Sequence, residues 1–407
     1  MLKQEMTENS TKITEYTLVD ELPDPFLFDD GTRVKTKEDW EKRRAEMYKD
    51  VVELQYGTMP PAPEFLEVEP LYLGYPCSYR ITTGTKAKPV IFNMIIFKST
   101  VAEKTPMVIT GDLCFKYLFD KEYIEAFTKN GIGLVAFNRT ELAADIAQYN
   151  LNGLMKESGE REMGQKVVDQ IVNAEICPGP LKKAYPEYTF GNIGAWAWGY
   201  SRCVDALEKL GVADMDMIAF TGHSRGGKAC ALAGVLDQRA AVVNPNASCS
   251  GAYGSYRIKI KAEVDGKIKE SEPLSNQFFH FPTWLGAGMK KFVDNEKEIP
   301  FDAHHLKAMV APRTLFVSEA AEDIMANPVG SYQTTEAAEE VFEFLDCHEN
   351  LIWYFRGGTH YQTVDDVNQL VRVIRHKKYG EPLGDDFFKL PFKKLKPAYS
   401  WKAPEKK

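Results

Sequence analysis

No C-x-x-C pair occurs among the seven cysteines, Cys77, Cys114, Cys177, Cys203, Cys230, Cys249 and Cys347. Odd in number and scattered, they argue against a structural zinc site and against a disulfide framework. They fit a reducing compartment better than an oxidising one. Basic residues are also in short supply: 50 Lys and Arg against 58 Asp and Glu leave a net charge of −8. A nucleic-acid surface needs a basic face, so the global balance speaks against that partner, though not against a local cationic pocket. No run of about 18 apolar residues is present, which removes a membrane-spanning helix. Residues 1–20 are polar and hold no apolar stretch of the signal-peptide kind, so the expectation from sequence is a cytoplasmic protein. Internal repeats are absent as well.

What is present reads as an ordinary globular chain, 44% apolar and 27% charged. Its length fits one α/β domain with insertions. Residues 1–25 form a polar N-terminal extension. A charged amphipathic run from residue 36 to residue 57 predicts a helix, stopped by Pro60, Pro61 and Pro63. Apolar runs at 90–97, 107–110, 131–137, 216–221, 240–243, 315–317 and 351–355 predict strands. Helical patterns fall at 122–129, 192–210, 225–236, 331–346 and 363–378, with Gly211 as a C-cap. Strands alternating with helices imply a mostly parallel sheet covered on both faces, a three-layer sandwich. Residues 26–385 form this single domain, with irregular insertions near 139–190 and 253–300. Residues 386–407 are a basic, Lys- and Pro-rich peripheral tail.

Chemistry enters at residues 219–228, AFTGHSRGGK, which contain Gly222-His223-Ser224-Arg225-Gly226. A G-x-S-x-G segment between an apolar strand and a small-residue helix forms a sharp, strained turn that projects a serine hydroxyl from the strand end. The flanking glycines let strand and helix approach closely. The N–H of Arg225, at the helix start, is aimed where an oxyanion would develop. This is the nucleophile elbow of the α/β-hydrolase fold, and it makes Ser224 the candidate nucleophile.

A serine needs a base, and in this fold the chain order is serine, acid, histidine. Among the seven histidines, His360 follows the last predicted strand through a Gly-Gly-Thr turn, which places it on a loop at the carboxyl end of the sheet. The acid should follow the preceding strand, where Glu319, Glu322 and Asp323 compete. Asp323 is the choice and Glu322 the alternative. Glu319 and Glu322 are expected to be solvated surface charges, as most carboxylates are. The expected triad is Ser224, His360 and Asp323, with no metal and no cofactor.

At this point the sequence resembles the glucuronoyl esterases, carbohydrate esterases of the α/β-hydrolase superfamily. The resemblance spans about residues 22–380. It is carried by LPDPFLFDDGTRVKTKEDWEKRR (22–44), GAWAWGYSRCVDALE (194–208), GHSRGGKACALAG (222–234), IPFDAHHLKAMVAPR (299–313), EDIMANP (322–328) and GGTH (357–360). It implies hydrolysis of esters of (4-O-methyl-)glucuronic acid, as in lignin–glucuronoxylan linkages, by a metal-free serine mechanism. It also implies that the Arg225 side chain assists the oxyanion site and that Lys228 contacts sugar hydroxyls. Glu272 and Trp284, in SEPLSNQFFHFPTW (271–284), are the further substrate-side candidates.

Three departures qualify the resemblance. Some members carry the acid about two dozen residues after the serine, but residues 238–262 hold no Asp or Glu, and Ala247 or Ser248 stands at that place. Met325 stands where the family often has a tryptophan stacked on the sugar. The family is usually exported, which disagrees with the cytoplasmic expectation. The expected partner is a carbohydrate ester, with no nucleic acid and no membrane, bound by a monomer. The alternatives are an acetyl xylan esterase or other carbohydrate carboxylesterase on the same triad, and a non-catalytic binding protein of this fold.

Overall fold

The computed structural model describes residues 4–5, 12–99, 101, 104–146 and 177–405. Of the insertion expected near 139–190, residues 147–176 therefore lie outside the described residues.

Two sheets are present among the described residues. The small one has the order β1–β2–β10–β11, from β1 (Gln4–Glu5), β2 (Lys12–Leu18), β10 (Ile258–Val264) and β11 (Lys267–Glu270). The large one comprises β3 (Phe65–Tyr72), β4 (Cys77–Gly84), β5 (Pro89–Phe97), β6 (Thr105–Thr110), β7 (Gly133–Phe137), β8 (Ala213–His223), β9 (Ala240–Asn246), β12 (Thr314–Ala320) and β13 (Leu351–Arg356). Its order is β13–β12–β9–β8–β6–β7–β5–β4–β3. From β7 to β13 every pairing is parallel, while β3, β4, β5 and β7 pair antiparallel.

The parallel strands β6, β7 and β12 are buried along their whole length, because helices cover both faces. Eight helices matter here: α1 (Lys37–Tyr48), α2 (Lys121–Thr128), α3 (Asn192–Leu210), α4 (Arg225–Leu236), α5 (Leu274–His280), α6 (Ala303–Ala308), α7 (Pro328–Phe344) and α8 (Val364–Tyr379). Alternate residues of β6 feed opposite layers. Val108 joins Phe127 of α2 and Leu370 of α8, whereas Met107 and Ile109 join Trp196 of α3 and Leu232 of α4. Gly211, in the left-handed region at φ 66°, closes α3 with its N–H on the Leu207 carbonyl. This is the architecture of an α/β-hydrolase. No described helix is long and apolar enough to cross a membrane.

Three segments differ from their sequence-based descriptions. Residues 253–300 are not irregular throughout: they hold the β10–β11 hairpin, turned by Asp265 and Gly266 at positive φ, and α5. Alternating IKIKAEV followed by Asp-Gly is a hairpin signal, and it lies in plain view in the sequence. The N-terminal extension supplies β2, which pairs with β10 and buries Ile13. The tail also packs inward: Phe392, Ala398 and Tyr399 are buried, Tyr399 stacks on Trp401 at 4.3 Å, and the Trp401 indole N–H donates to the Leu22 carbonyl at 2.7 Å.

Removal of residues 386–407 is therefore expected to destabilise the protein by more than about 3 kcal/mol, the usual cost of deleting a buried aromatic. Urea denaturation checks this. An unchanged midpoint would show the tail to be peripheral after all.

Candidate active site

The turn from β8 into α4 is built by close packing. Ser224 has φ 57° and ψ −121°, a strained conformation for a residue with a side chain. Its N–H donates to the Asn246 carbonyl at 3.0 Å. A Cβ at Gly222 would lie 2.4 Å from the Gly226 carbonyl oxygen, and one at Gly226 would lie 1.9 Å from Asp112 Oδ1. Only glycine fits at either place, which is the steric content of the G-x-S-x-G pattern.

β12 and β13 are adjacent and parallel, so the loops that follow them leave the sheet side by side. The Ala321 N–H donates to the Arg356 carbonyl at 2.8 Å, and the Glu322 N–H donates to the Gly358 carbonyl at 3.1 Å. Between these loops and the elbow lies a continuous relay. His360 Nε2 is 2.9 Å from Ser224 Oγ, and His360 Nδ1 is 2.5 Å from Asp323 Oδ2. A carboxylate in this position accepts from the proton-bearing Nδ1, which leaves Nε2 to accept from the serine hydroxyl. The other Asp323 oxygen accepts the Ala326 N–H at 3.3 Å. Of the three carboxylates of that strand end and loop, Asp323 is the one against His360.

Glu319 corrects an expectation. It is fully buried rather than solvated, accepts the Ser331 hydroxyl at 2.8 Å, and burial pushes its carboxyl up to about 8. The cause is its place on β12, which is covered on both faces. Lys307 of α6 is buried on the same network, its ammonium bonded to Ser331, Thr334 and Thr335, and burial pushes it down to about 7.

His223 points away from the serine. Its N–H donates to Asp112 Oδ2 at 2.8 Å, and its Nδ1 lies 2.6 Å from Asn246 Oδ1. Its ring sits 4.8 Å from that of His360. Burial, and then the neighbouring His360, pushes its pKa down to about 3, so the ring is neutral at working pH. The reading of single residues missed Arg356. Its guanidinium holds the carbonyls of Gly357, Thr359 and Tyr361, and is itself anchored on Asp366 at 2.8 Å. It thus clamps the loop that carries His360. An arginine closing the last strand directly before Gly-Gly-Thr-His was the available signal.

The cations after the serine are both partnered. Arg225 Nη1 meets Asp145 Oδ2 at 2.9 Å, with the guanidinium carbon 5.0 Å and 4.9 Å from the ring centroids of Phe281 and Trp284. Lys228 is buried, and its ammonium donates to the carbonyls of Ser248 and Ser250 and to Glu272 Oε2 at 3.1 Å. Trp284 is buried and stacked on Phe281 at 3.7 Å. Met325 is 39% exposed, and its carbonyl accepts the Glu272 N–H at 3.0 Å. Glu272 and Met325 line one open cleft of about 640 Å3 with Pro273, Asn276 and Phe279. The structure therefore gathers Ser224, His360 and Asp323 in one relay, and Arg225, Lys228, Glu272 and Trp284 into a second cluster beside it.

Such a relay can run acyl transfer. Ser224→Ala is expected to lower ester hydrolysis at least a hundredfold with an unchanged circular dichroism spectrum, since the nucleophile carries orders of magnitude in rate. Asp323→Asn should lower kcat by roughly 10²–10⁴, through loss of the correct imidazole tautomer. Glu322→Gln should cost less than about tenfold, because the imidazole Nδ1 is bonded to Asp323. A crippled Glu322→Gln beside a mild Asp323→Asn would reassign the acid.

A family model described as "Glucuronyl esterase, fungi" matches residues 169–346. The chain is 29% identical over 332 residues to 4-O-methyl-glucuronoyl methylesterase 1 of Wolfiporia cocos, covering 80% of this chain and 72% of that protein. It is 26% identical over 374 residues to the 4-O-methyl-glucuronoyl methylesterase of Schizophyllum commune, covering 90% and 85%. A carbohydrate esterase family 15 glucuronoyl esterase from Caldicellulosiruptor kristjansonii matches in three dimensions with a TM-score of 0.77 and 28% identity. That match covers 95% of this chain and 98% of the other. A family model, curated relatives and a solved structure point the same way: this α/β-hydrolase chain is similar to glucuronoyl esterases, which are carboxylic ester hydrolases.

Proposed function

We propose that the protein hydrolyses carboxylic esters of (4-O-methyl-)glucuronic acid through a covalent intermediate on Ser224. The observation that carries this is the unbroken contact from Ser224 Oγ through His360 to Asp323. Similarity to the relatives above, which are named for this ester, supports the same reading.

The geometry supports the following steps. Ser224 Oγ attacks the ester carbonyl while His360 Nε2 takes its proton. Asp323 stabilises the imidazolium and keeps its ring in place. The carbonyl oxygen becomes an oxyanion against the N–H of Arg225 at the start of α4 and the Arg225 guanidinium. Collapse expels the alcohol, which takes the proton from His360. Water, deprotonated by the same imidazole, then attacks the acyl group, and uronic acid leaves with Ser224 restored.

On the sugar side, Lys228 acts together with Glu272. The ammonium's donors are already spent on Ser248, Ser250 and Glu272. Its role is therefore to fix Glu272 in the wall of the cleft, where the carboxylate accepts hydrogen bonds from ring hydroxyls. Met325 offers a smaller and more flexible apolar contact than a tryptophan would.

Lys228→Ala is then expected to lower kcat/KM on methyl glucuronate by roughly 10–150-fold, the factor implied by about 1.5–3 kcal/mol of charge-assisted hydrogen bonding. Activity on a small aryl acetate should change little, since it has no ring hydroxyls. Glu272→Gln should follow the same pattern, and Met325→Trp should lower KM for the uronate ester. Steady-state kinetics on both substrates, with acetylated xylan as a third, test this. Equal loss on uronate and acetate esters would assign Lys228 to support of the elbow and leave the sugar preference unexplained. Faster hydrolysis of acetylated xylan than of methyl glucuronate would point instead to an acetyl esterase.

A further inference from the structure

Arg225 carries a long, flexible side chain, and an oxyanion donor is useful only if its direction is set before the charge develops. What sets it lies outside the serine turn. Asp145, from the segment after β7, accepts Arg225 Nη1 on Oδ2 at 2.9 Å and the Trp284 indole N–H on Oδ1 at 3.2 Å. Trp284 is stacked on Phe281, and the Arg225 guanidinium lies against both rings. One carboxylate thus fixes the arginine and also the aromatic surface that the arginine rests on.

Asp145 is itself held from behind. Arg139 Nη2 stands 3.9 Å from Asp145 Oδ2, and Arg139 is fully buried, paired through Nη1 with Asp112. Asp112 receives the His223 N–H from the elbow and the Tyr117 hydroxyl. Charges therefore alternate from the packed turn outward: Asp112, Arg139, Asp145, Arg225. Each buried or half-buried cation has a carboxylate beside it, as burial of charge requires.

We propose that Asp145 is a positioning residue for the reaction, acting through Arg225: it pre-orients the guanidinium toward the developing oxyanion. This rests on the reading of Ser224 as nucleophile and Arg225 as oxyanion donor. An interaction of this kind is felt in the transition state more than in substrate binding, so its loss falls on kcat and spares KM.

The test is a double-mutant cycle on the full chain with methyl glucuronate, with Ser224→Ala as the check on the nucleophile. Asp145→Asn keeps size and shape but removes the charge that holds the guanidinium. It should lower kcat by roughly 10–100-fold, below the loss for an entire oxyanion donor, with KM within about threefold. In an Arg225→Ala background the same Asn change should cost less than about twofold, because nothing is left to position. Asp145→Glu, which retains the carboxylate, should recover at least a tenth of wild-type kcat, on the order expected for a displaced but charged partner. If the Asn variant is too unstable to assay, the cycle run with Asp145→Glu decides the matter, its smaller loss having to vanish without Arg225. Equal losses in both backgrounds, or an Asn variant with wild-type kcat, would overturn the positioning role while leaving the Ser224 reading intact. A fully active Arg225→Ala variant would remove the oxyanion role itself and the proposal with it.

Discussion

Ser224 stands at φ 57°, ψ −121°, a conformation that costs a non-glycine residue of order 1–3 kcal/mol. It persists because strand and helix meet there almost backbone to backbone. Gly222 lies against the Gly226 carbonyl, and Gly226 lies against the Asp112 carboxylate. The same carboxylate accepts the His223 N–H, and the Ser224 N–H is held by Asn246. A single added methyl group at either glycine would need to displace one of these atoms. The direction of Ser224 Oγ, and hence the use of every other group at the site, depends on that contact.

Around the turn the protein keeps several charges largely out of water, in pairs. Asp112 meets Arg139, Asp145 meets Arg225, Lys228 meets Glu272, and Arg356 meets Asp366. Buried pairs of this kind add little net stability and are costly to break singly. Their use here is geometric. Each fixes the direction of a long side chain or of a loop: Arg225 over its aromatic pair, Glu272 in the cleft wall, and the His360 loop through Arg356. The Glu319–Lys307 region is the contrasting case, since burial pushes both groups toward neutrality rather than into a charged pair.

The parallel sheet and its helices were readable from sequence because burial on both faces writes continuous apolar runs, and α3 ends where Gly211 says it should. The relay was readable for a different reason. Ser224 sits in a motif with a steric meaning, and fold order then narrows the base to His360 and the acid to one loop. Asp323 and Glu322 lie in that same loop, and only the contact between Asp323 and His360 separates them. The errors share a cause. Glu319 was judged by residue type, although its position inside an apolar strand argued for burial. The resemblance gave Lys228 to sugar hydroxyls, and the carbonyls of Ser248 and Ser250 that hold it come from a backbone path no periodicity reveals. The network Asp112–Arg139–Asp145–Arg225 joins segments far apart in the chain, and pairing of that kind has no local signature. The β10–β11 hairpin, by contrast, was legible and passed over.

The central claim is that a uronoyl group is transferred to Ser224 before water receives it. Rapid-quench mass spectrometry with a 4-nitrophenyl ester of glucuronic acid tests it directly, because a good leaving group makes removal of the acyl group the slow step. The account predicts a burst of one nitrophenolate per active site and a glucuronoyl adduct on the peptide that carries Ser224. Steady turnover with no burst and no adduct, or an adduct on another residue, would contradict it.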